Sequence, residues 1–291
     1  MRSRAAVRVL LTVAAATTLV AGACGGGGPS PQEIVLAASS ETVEAKSSRV
    51  AFSMRMTGVE GIETGEITVD GEGAMDYSKG VGTFSMTLPP IGGVELGRID
   101  AVLIGTVMYQ RFPPELAKEL GGKPWIKIDL AEIGKLVGVD IGALAQSQSS
   151  DPTQAMALLR GASSDVTVVG TENLRGEDTT HYKATLDPRK AAAAAPEQQR
   201  KALEQVAEMY QGITIPADVW IDGANRLRKM NYVVDLSKLK LPPEAATSLP
   251  DGTMNLTMEL FEFGVPVTAD PPPADQVLDL IELIERAGAQ G

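Results

Sequence analysis

The chain is poor in the groups that most catalytic chemistry needs. It has one cysteine and one histidine in 291 residues. One histidine and no spare thiol cannot build a zinc site, and only carboxylates are left as candidate metal ligands. Strand alternation puts the histidine, His181, on the face of Lys183 and Thr185, opposite Tyr182, Ala184 and Leu186. That is the expected solvent side, so His181 reads as a surface or sheet-packing residue rather than an acid–base catalyst. Gly121-Gly122-Lys123-Pro124 lacks the spacing and the hydroxyl residue of a phosphate-binding loop and reads as a turn. A carboxylate pair of the glycosidase kind leaves no mark in a sequence, so a hydrolase stays open as a third reading. No catalytic residue, metal or cofactor is assigned, and the chain is read as a non-enzyme.

Basic residues are also scarce: 26 Lys and Arg stand against 37 Asp and Glu, a formal charge of −11. A nucleic-acid binder needs the opposite sign. Aromatic residues make up only 4%, yet apolar residues reach 44%, which is ordinary for a folded domain. The apolar bulk is therefore mostly aliphatic, with 11 methionines. Beyond the first 23 residues no apolar run approaches membrane-spanning length.

The N-terminus carries the firmest signal. Arg2, Arg4 and Arg8 precede an uncharged apolar run from Val9 to Val20, then Ala21-Gly22-Ala23 and Cys24. This is the layout of a secretory signal peptide, too short to span a bilayer. Ala21-Gly22-Ala23 fits ordinary A-x-A cleavage, while small residues directly before a cysteine fit a lipoprotein signal, with Cys24 acylated as the mature N-terminus. The residues after Cys24 favour lipidation. Gly25 to Gly28, Pro29, Ser30 and Pro31 make a flexible tether. Cys24 is also the only cysteine, and a free thiol suits an oxidising compartment badly. The reading is a signal peptide at 1–23, a lipidated Cys24 with tether at 24–31, and one domain at 32–291. Removing residues 1–23 takes away three arginines and no acid, moving the formal charge from −11 to −14. Attachment to the extracytoplasmic face of the cell membrane then rests on the acyl chains.

In the body, helical spacing predicts a first helix over 32–47. The period then changes to two. Strands are expected at 50–57, at 65–77 with a bend or bulge at Asp70-Gly71 and Gly73, at 83–88, at 99–110 as one covered strand, and at 125–130. Residues 131–161 read as helical or loop, with a helix opening at Asp151-Pro152 and ending at Gly161. Further strands are expected at 166–169, 180–186, 219–221, 227–236 and 254–263, around one helix at 189–211. A last helix with Val277, Leu280, Ile281 and Ile284 on one side comes after Pro271-Pro272-Pro273. Alternating strands with few crossover units imply an α+β fold: a curved antiparallel sheet whose apolar face is covered by helices.

Val168-Val169-Gly170-Thr171-Glu172-Asn173-Leu174-Arg175-Gly176 with Thr179-Thr180-His181-Tyr182-Lys183 resembles a central block of actinobacterial LppX/LprA/LprF/LprG-type lipoproteins. Ile215-Pro216-Ala217-Asp218-Val219-Trp220-Ile221-Asp222 with Arg226-Leu227-Arg228-Lys229-Met230, and Glu262-Phe263-Gly264-Val265-Pro266-Val267, are similar to the same family. The resemblance implies a half-barrel closed by helices over an apolar cavity, as in the LolA/LolB lipoprotein carriers. It further implies binding of acylated lipids or glycolipids and help in their transport, with a membrane transporter as a further partner.

Read from the residues themselves, Phe52, Met54, Met56, Phe84, Met86, Met230, Tyr232, Met254, Leu256, Met258 and Leu260 fall on apolar strand faces. Unbranched methionines suit a wall that must fit flexible acyl chains, although methionine on a strand is also ordinary core filler. The leading expectation is a lipid carrier with these eleven residues as its lining. The alternative is an envelope interaction or sensing module of the same fold without cargo.

Overall fold

The computed structural model describes residues 28–59, 65–90, 97–119, 121–136, 159, 161–162, 165–195, 197–210, 212–240 and 251–283. The signal region and Cys24 lie outside the described residues, as do most of the helix expected at 151–161 and the position of Ile284.

Among the described residues twelve strands form one open sheet in the order β12-β6-β5-β4-β3-β2-β1-β11-β10-β9-β8-β7. They are β1 (Ser47–Thr57), β2 (Glu66–Asp76), β3 (Val81–Leu88), β4 (Gly97–Ile104), β5 (Val107–Arg111), β6 (Trp125–Asp129), β7 (Thr167–Leu174), β8 (Glu177–Leu186), β9 (Ile215–Asp222), β10 (Leu227–Asp235), β11 (Thr253–Phe261) and β12 (Val277–Asp279). All pairings are antiparallel except β12 on β6. Two meanders, β1–β6 and β7–β10, are joined edge to edge by β11, which inserts between β1 and β10. Among the described residues the sheet does not close on itself, which agrees with the expected half-barrel.

Among the described residues, helices α1 (Pro31–Glu44), α2 (Pro114–Glu119), α3 (Leu130–Leu136), α4 (Pro188–Ala193) and α5 (Glu197–Met209) accompany the sheet. Helix α1 starts with a capping box. Ser30 accepts from the Glu33 amide, and Glu33 accepts from the Ser30 amide. Its buried stripe of Val35, Ala38, Ser39, Thr42 and Val43 lies against the sheet near β9 and β10. Thr42 Oγ1 accepts from the Leu227 amide at 2.8 Å, fixing the helix to the start of β10. The main core lies between α1 and β8–β11, with Leu159, Leu186, Val219 and Leu227 fully buried.

Four expectations need correction. Residues 99–110 are two strands, not one: Gly105, at φ +60°, turns the chain so that Val107 pairs back on Ile104. The helix expected over 189–211 is α4 and α5, and Pro196 stands between them in the sequence, where it has no amide to donate. Val277 begins strand β12 rather than a helix, which starts only at Leu280. Strand β2 has no bend or bulge at Gly71 and Gly73; its register with β1 and β3 runs through both without a shift.

A candidate apolar lipid-binding face

The eleven apolar residues singled out in the sequence share one face of the sheet. Directly opposite residues in an antiparallel pair project to the same side, so register settles the matter. Leu260 pairs with Val50, and Val50 with Gly73, Gly73 with Phe84 and Phe84 with Ala101. The next inward row is Met230, Met258, Phe52, Gly71, Met86 and Ile99. The third is Tyr232, Leu256, Met54 and Val69. The fourth is Val234, Met254, Met56 and Ile67. No charged residue interrupts these rows.

Burial divides the set. Leu260 at 2% and Met230 at 7% exposure belong to the core under α1. The other nine are half-buried. Phe52, Tyr232, Met254 and Met258 pack against the core at one edge of the face, and Phe52 meets Phe84 edge-on with ring centres 6.5 Å apart. Burial pushes the Tyr232 phenol up to about 12, with the neighbouring Tyr210 adding to the shift, so both hydroxyls stay protonated at neutral pH.

Glycines complete this face, and the sequence reading gave them another role. A Cβ on Gly71 would run into the Phe52 ring, one on Gly73 into Phe84 and the Thr83 carbonyl, and one on Gly82 would stand 2.8 Å from the Phe84 ring. These glycines are the hollows in which the two rings lie. The signal was present in parity: Gly71 and Gly73 occupy the inward positions of β2 that begin with Ile67 and Val69.

The opposite face is polar and carries its own organisation. His181, expected on this face as a surface or sheet-packing residue, packs on the sheet and is buried at 8% exposure, not in solvent. Its ring stacks on Trp220 at 4.2 Å, and Nε2–H donates to Asp218 Oδ1 at 2.6 Å. Nδ1 stands 3.2 Å from a Glu172 oxygen without a hydrogen bond. Lys229 caps the Trp220 ring. Cross-strand pairing of His181 with Trp220 produces this cover. Nearby, Asp222 is buried and accepts from Arg226 and Arg228, whose guanidiniums also lie over the Phe263 ring. Burial works against ionisation of Asp222, but the Arg226 amide and both guanidiniums outweigh it and hold the carboxyl below its ordinary range. Among the described residues no group of three His, Cys, Asp or Glu side chains could hold a metal, and no helix is long and apolar enough to cross a membrane.

Comparison with known proteins bears on this arrangement. No family model matches the chain. It is 28% identical over 269 residues to an uncharacterized 31.2 kDa protein of Streptomyces griseus encoded between rplA and rplJ, covering 89% of this chain and 82% of that one. It is 27% identical over 235 residues to a candidate lipoprotein of Streptomyces coelicolor, covering 77% and 68%. Among solved structures, LprF from Mycobacterium bovis is similar with a TM-score of 0.46 at 17% identity, covering 85% of this chain and all of that one. The Mycobacterium tuberculosis lipoprotein LppX is similar with 0.42 at 18%, covering 81% and 98%.

Proposed function

We propose that this chain is an envelope lipoprotein of the LppX/LprF type, anchored through Cys24 after removal of residues 1–23, that binds acylated lipids or glycolipids on its apolar sheet face and assists their transport. The observation that carries the proposal is the unbroken inward apolar surface from β10 to β4, most of whose side chains are only half-buried. A packed core would bury them; a wall that receives flexible chains keeps contact area in reserve. Each methylene moved from water onto such a surface contributes about 0.8 kcal/mol. Methionine side chains adapt to a chain's path at little cost. The Streptomyces coelicolor relative, named as a candidate lipoprotein, supports the anchor. The role is binding rather than catalysis, and the body 32–291 acts as one unit.

The test is uptake of a fluorescent acyl probe by protein stripped of endogenous lipid, with competition by membrane lipid extract. Saturable uptake near one probe per chain, displaced by the extract, is expected. A folded, lipid-free protein that takes up none rejects the carrier role and favours an interaction module without cargo. The mass of the mature N-terminus tests the anchor separately, since it must carry the acyl groups on Cys24.

A further inference from the structure

Where β4 starts, β5 ends and β6 starts, there is a surface pocket of about 490 Å³. Among the described residues its lining carries Arg98, Arg111 and Lys118 against one carboxylate, Asp100, beside an apolar floor that includes Phe112 and Pro113. Asp100 stands 3.3 Å from Arg98 and directly opposite Arg111 on the neighbouring strand. One carboxylate thus faces two guanidiniums, and its exposed pairing with Arg98 holds that side chain only weakly.

Strand pairing places this pocket on the same rim of the sheet as the start of α1. The rim runs from Gly97 opposite Leu88, through Thr57 opposite Glu66 and Thr253 opposite Asp235, to Ile215 opposite Leu186. Leu186 bridges to Ala162, whose carbonyl accepts from Gln32 in the first turn of α1. Cys24 precedes Ser30 by six residues, which reach at most about 20 Å. An acylated Cys24 therefore holds the α1 side of the rim close to the bilayer. Strand β4 lies seven places from β8 in the sheet, about 34 Å along its arc.

We propose that Arg98, Arg111 and Lys118 form a second membrane contact, which seats the opposite side of this rim on the headgroups of anionic phospholipids. The guanidiniums meet the phosphates, and Phe112 and Pro113 meet the interfacial layer. The proposal rests on the reading of Cys24 as the anchor. The acidic body does not prevent it, because charges more than about 8 Å from the surface are screened at physiological salt. Met56 and Met254 lie at the same rim on the apolar face. Two contacts on one rim thus turn the open end of that face toward the bilayer, where acyl chains enter or leave.

Trp125 reports on this seat, since it lies directly opposite Arg111, whereas the other tryptophan, Trp220, is buried at 8% exposure. The full-length processed protein is placed in phosphatidylcholine vesicles with or without phosphatidylglycerol, each containing a headgroup spin-labelled lipid. Stronger quenching of Trp125 is expected with phosphatidylglycerol, falling with salt. Replacement of each cation (Arg98→Ser, Arg111→Ser, Lys118→Ser) weakens the anionic preference by roughly fivefold. The three variants are measured singly, so one that does not fold leaves the other two to decide. Equal quenching in both vesicles, or an anionic preference unchanged in all three variants, overturns the proposal. Bound lipid measured by mass spectrometry on the same samples separates this failure from failure of the carrier reading. A mature protein without acyl mass overturns the seat together with the anchor.

Discussion

The Phe52 ring lies in the space that any side chain at Gly71 would need. The two residues are direct partners across β1 and β2, so the inward ring of one strand is accommodated by the missing side chain of the next. Gly71→Ala forces the ring to move. Overpacking of this kind costs about 1–3 kcal/mol. Urea denaturation of the variant should show a destabilisation in that range. The double variant Gly71→Ala with Phe52→Leu should recover part of it, because the ring that clashes is gone.

Substitutions in the half-buried middle of the face should separate binding from folding. Met54 and Leu256 are direct partners, and neither belongs to the fully buried core. Met54→Gln with Leu256→Gln keeps side-chain size but places amides on the acyl path. An acyl probe should bind at least about tenfold more weakly, at roughly 1–3 kcal/mol for each polar group set against hydrocarbon. The melting temperature should move by only a few degrees.

Asp222 should set part of the acid stability. Its folded-state carboxyl titrates below the usual range because Arg226 and Arg228 hold the charged form. A depressed folded value adds stability above the unfolded carboxylate range near pH 4 and loses it as pH falls through the folded value. Stability measured from pH 5 to pH 2 should therefore decline in the native protein. Asp222→Asn should remove this part of the slope while costing about 3–5 kcal/mol at neutral pH, since the buried Arg228 then keeps only the exposed Glu177 carboxylate, 3.7 Å away.

Tyr77 and Tyr232 predict the alkaline limb. Burial pushes both phenols to about 12, and the Tyr77 hydroxyl lies 2.6 Å from Ser48 Oγ, a hydrogen bond that partly offsets the shift. A raised folded value means stability that is complete below the unfolded value near 10 and is lost as pH rises toward 12. Tyr77→Phe and Tyr232→Phe should each flatten the stability profile between those limits, as read from the denaturation midpoint.

Periodicity made the faces legible before their arrangement. Alternation at 50–57, 83–88 and 254–263 assigned inward and outward residues correctly, because one buried face imposes a strict period of two. Pairing order was not legible: β11 follows β10 in the chain but pairs on its other side with β1, Thr57 and Thr253 being 196 residues apart, and β12 pairs with β6 across some 150 residues. Apolar runs interrupted by one glycine, as at Gly105, read as a single strand when the turn needs only two residues. The face of His181 was legible but its burial was not, because its cover comes from Trp220 on another strand, which no local pattern records. Gly71 and Gly73 read as bend signals because a glycine that makes room for a neighbouring ring looks the same in sequence as one that turns the chain.

Native mass spectrometry of the protein secreted from a related host without its anchor, with extraction of whatever it carries, tests the central claim most directly. The apolar face of Phe52, Met54, Met86, Leu256 and Met258 predicts a reproducible acylated lipid or glycolipid at near one per chain, lost in the Met54→Gln, Leu256→Gln variant. A folded protein that emerges empty, and whose variant has the same mass and the same probe response, would contradict the account and leave the half-barrel as a surface for partner proteins.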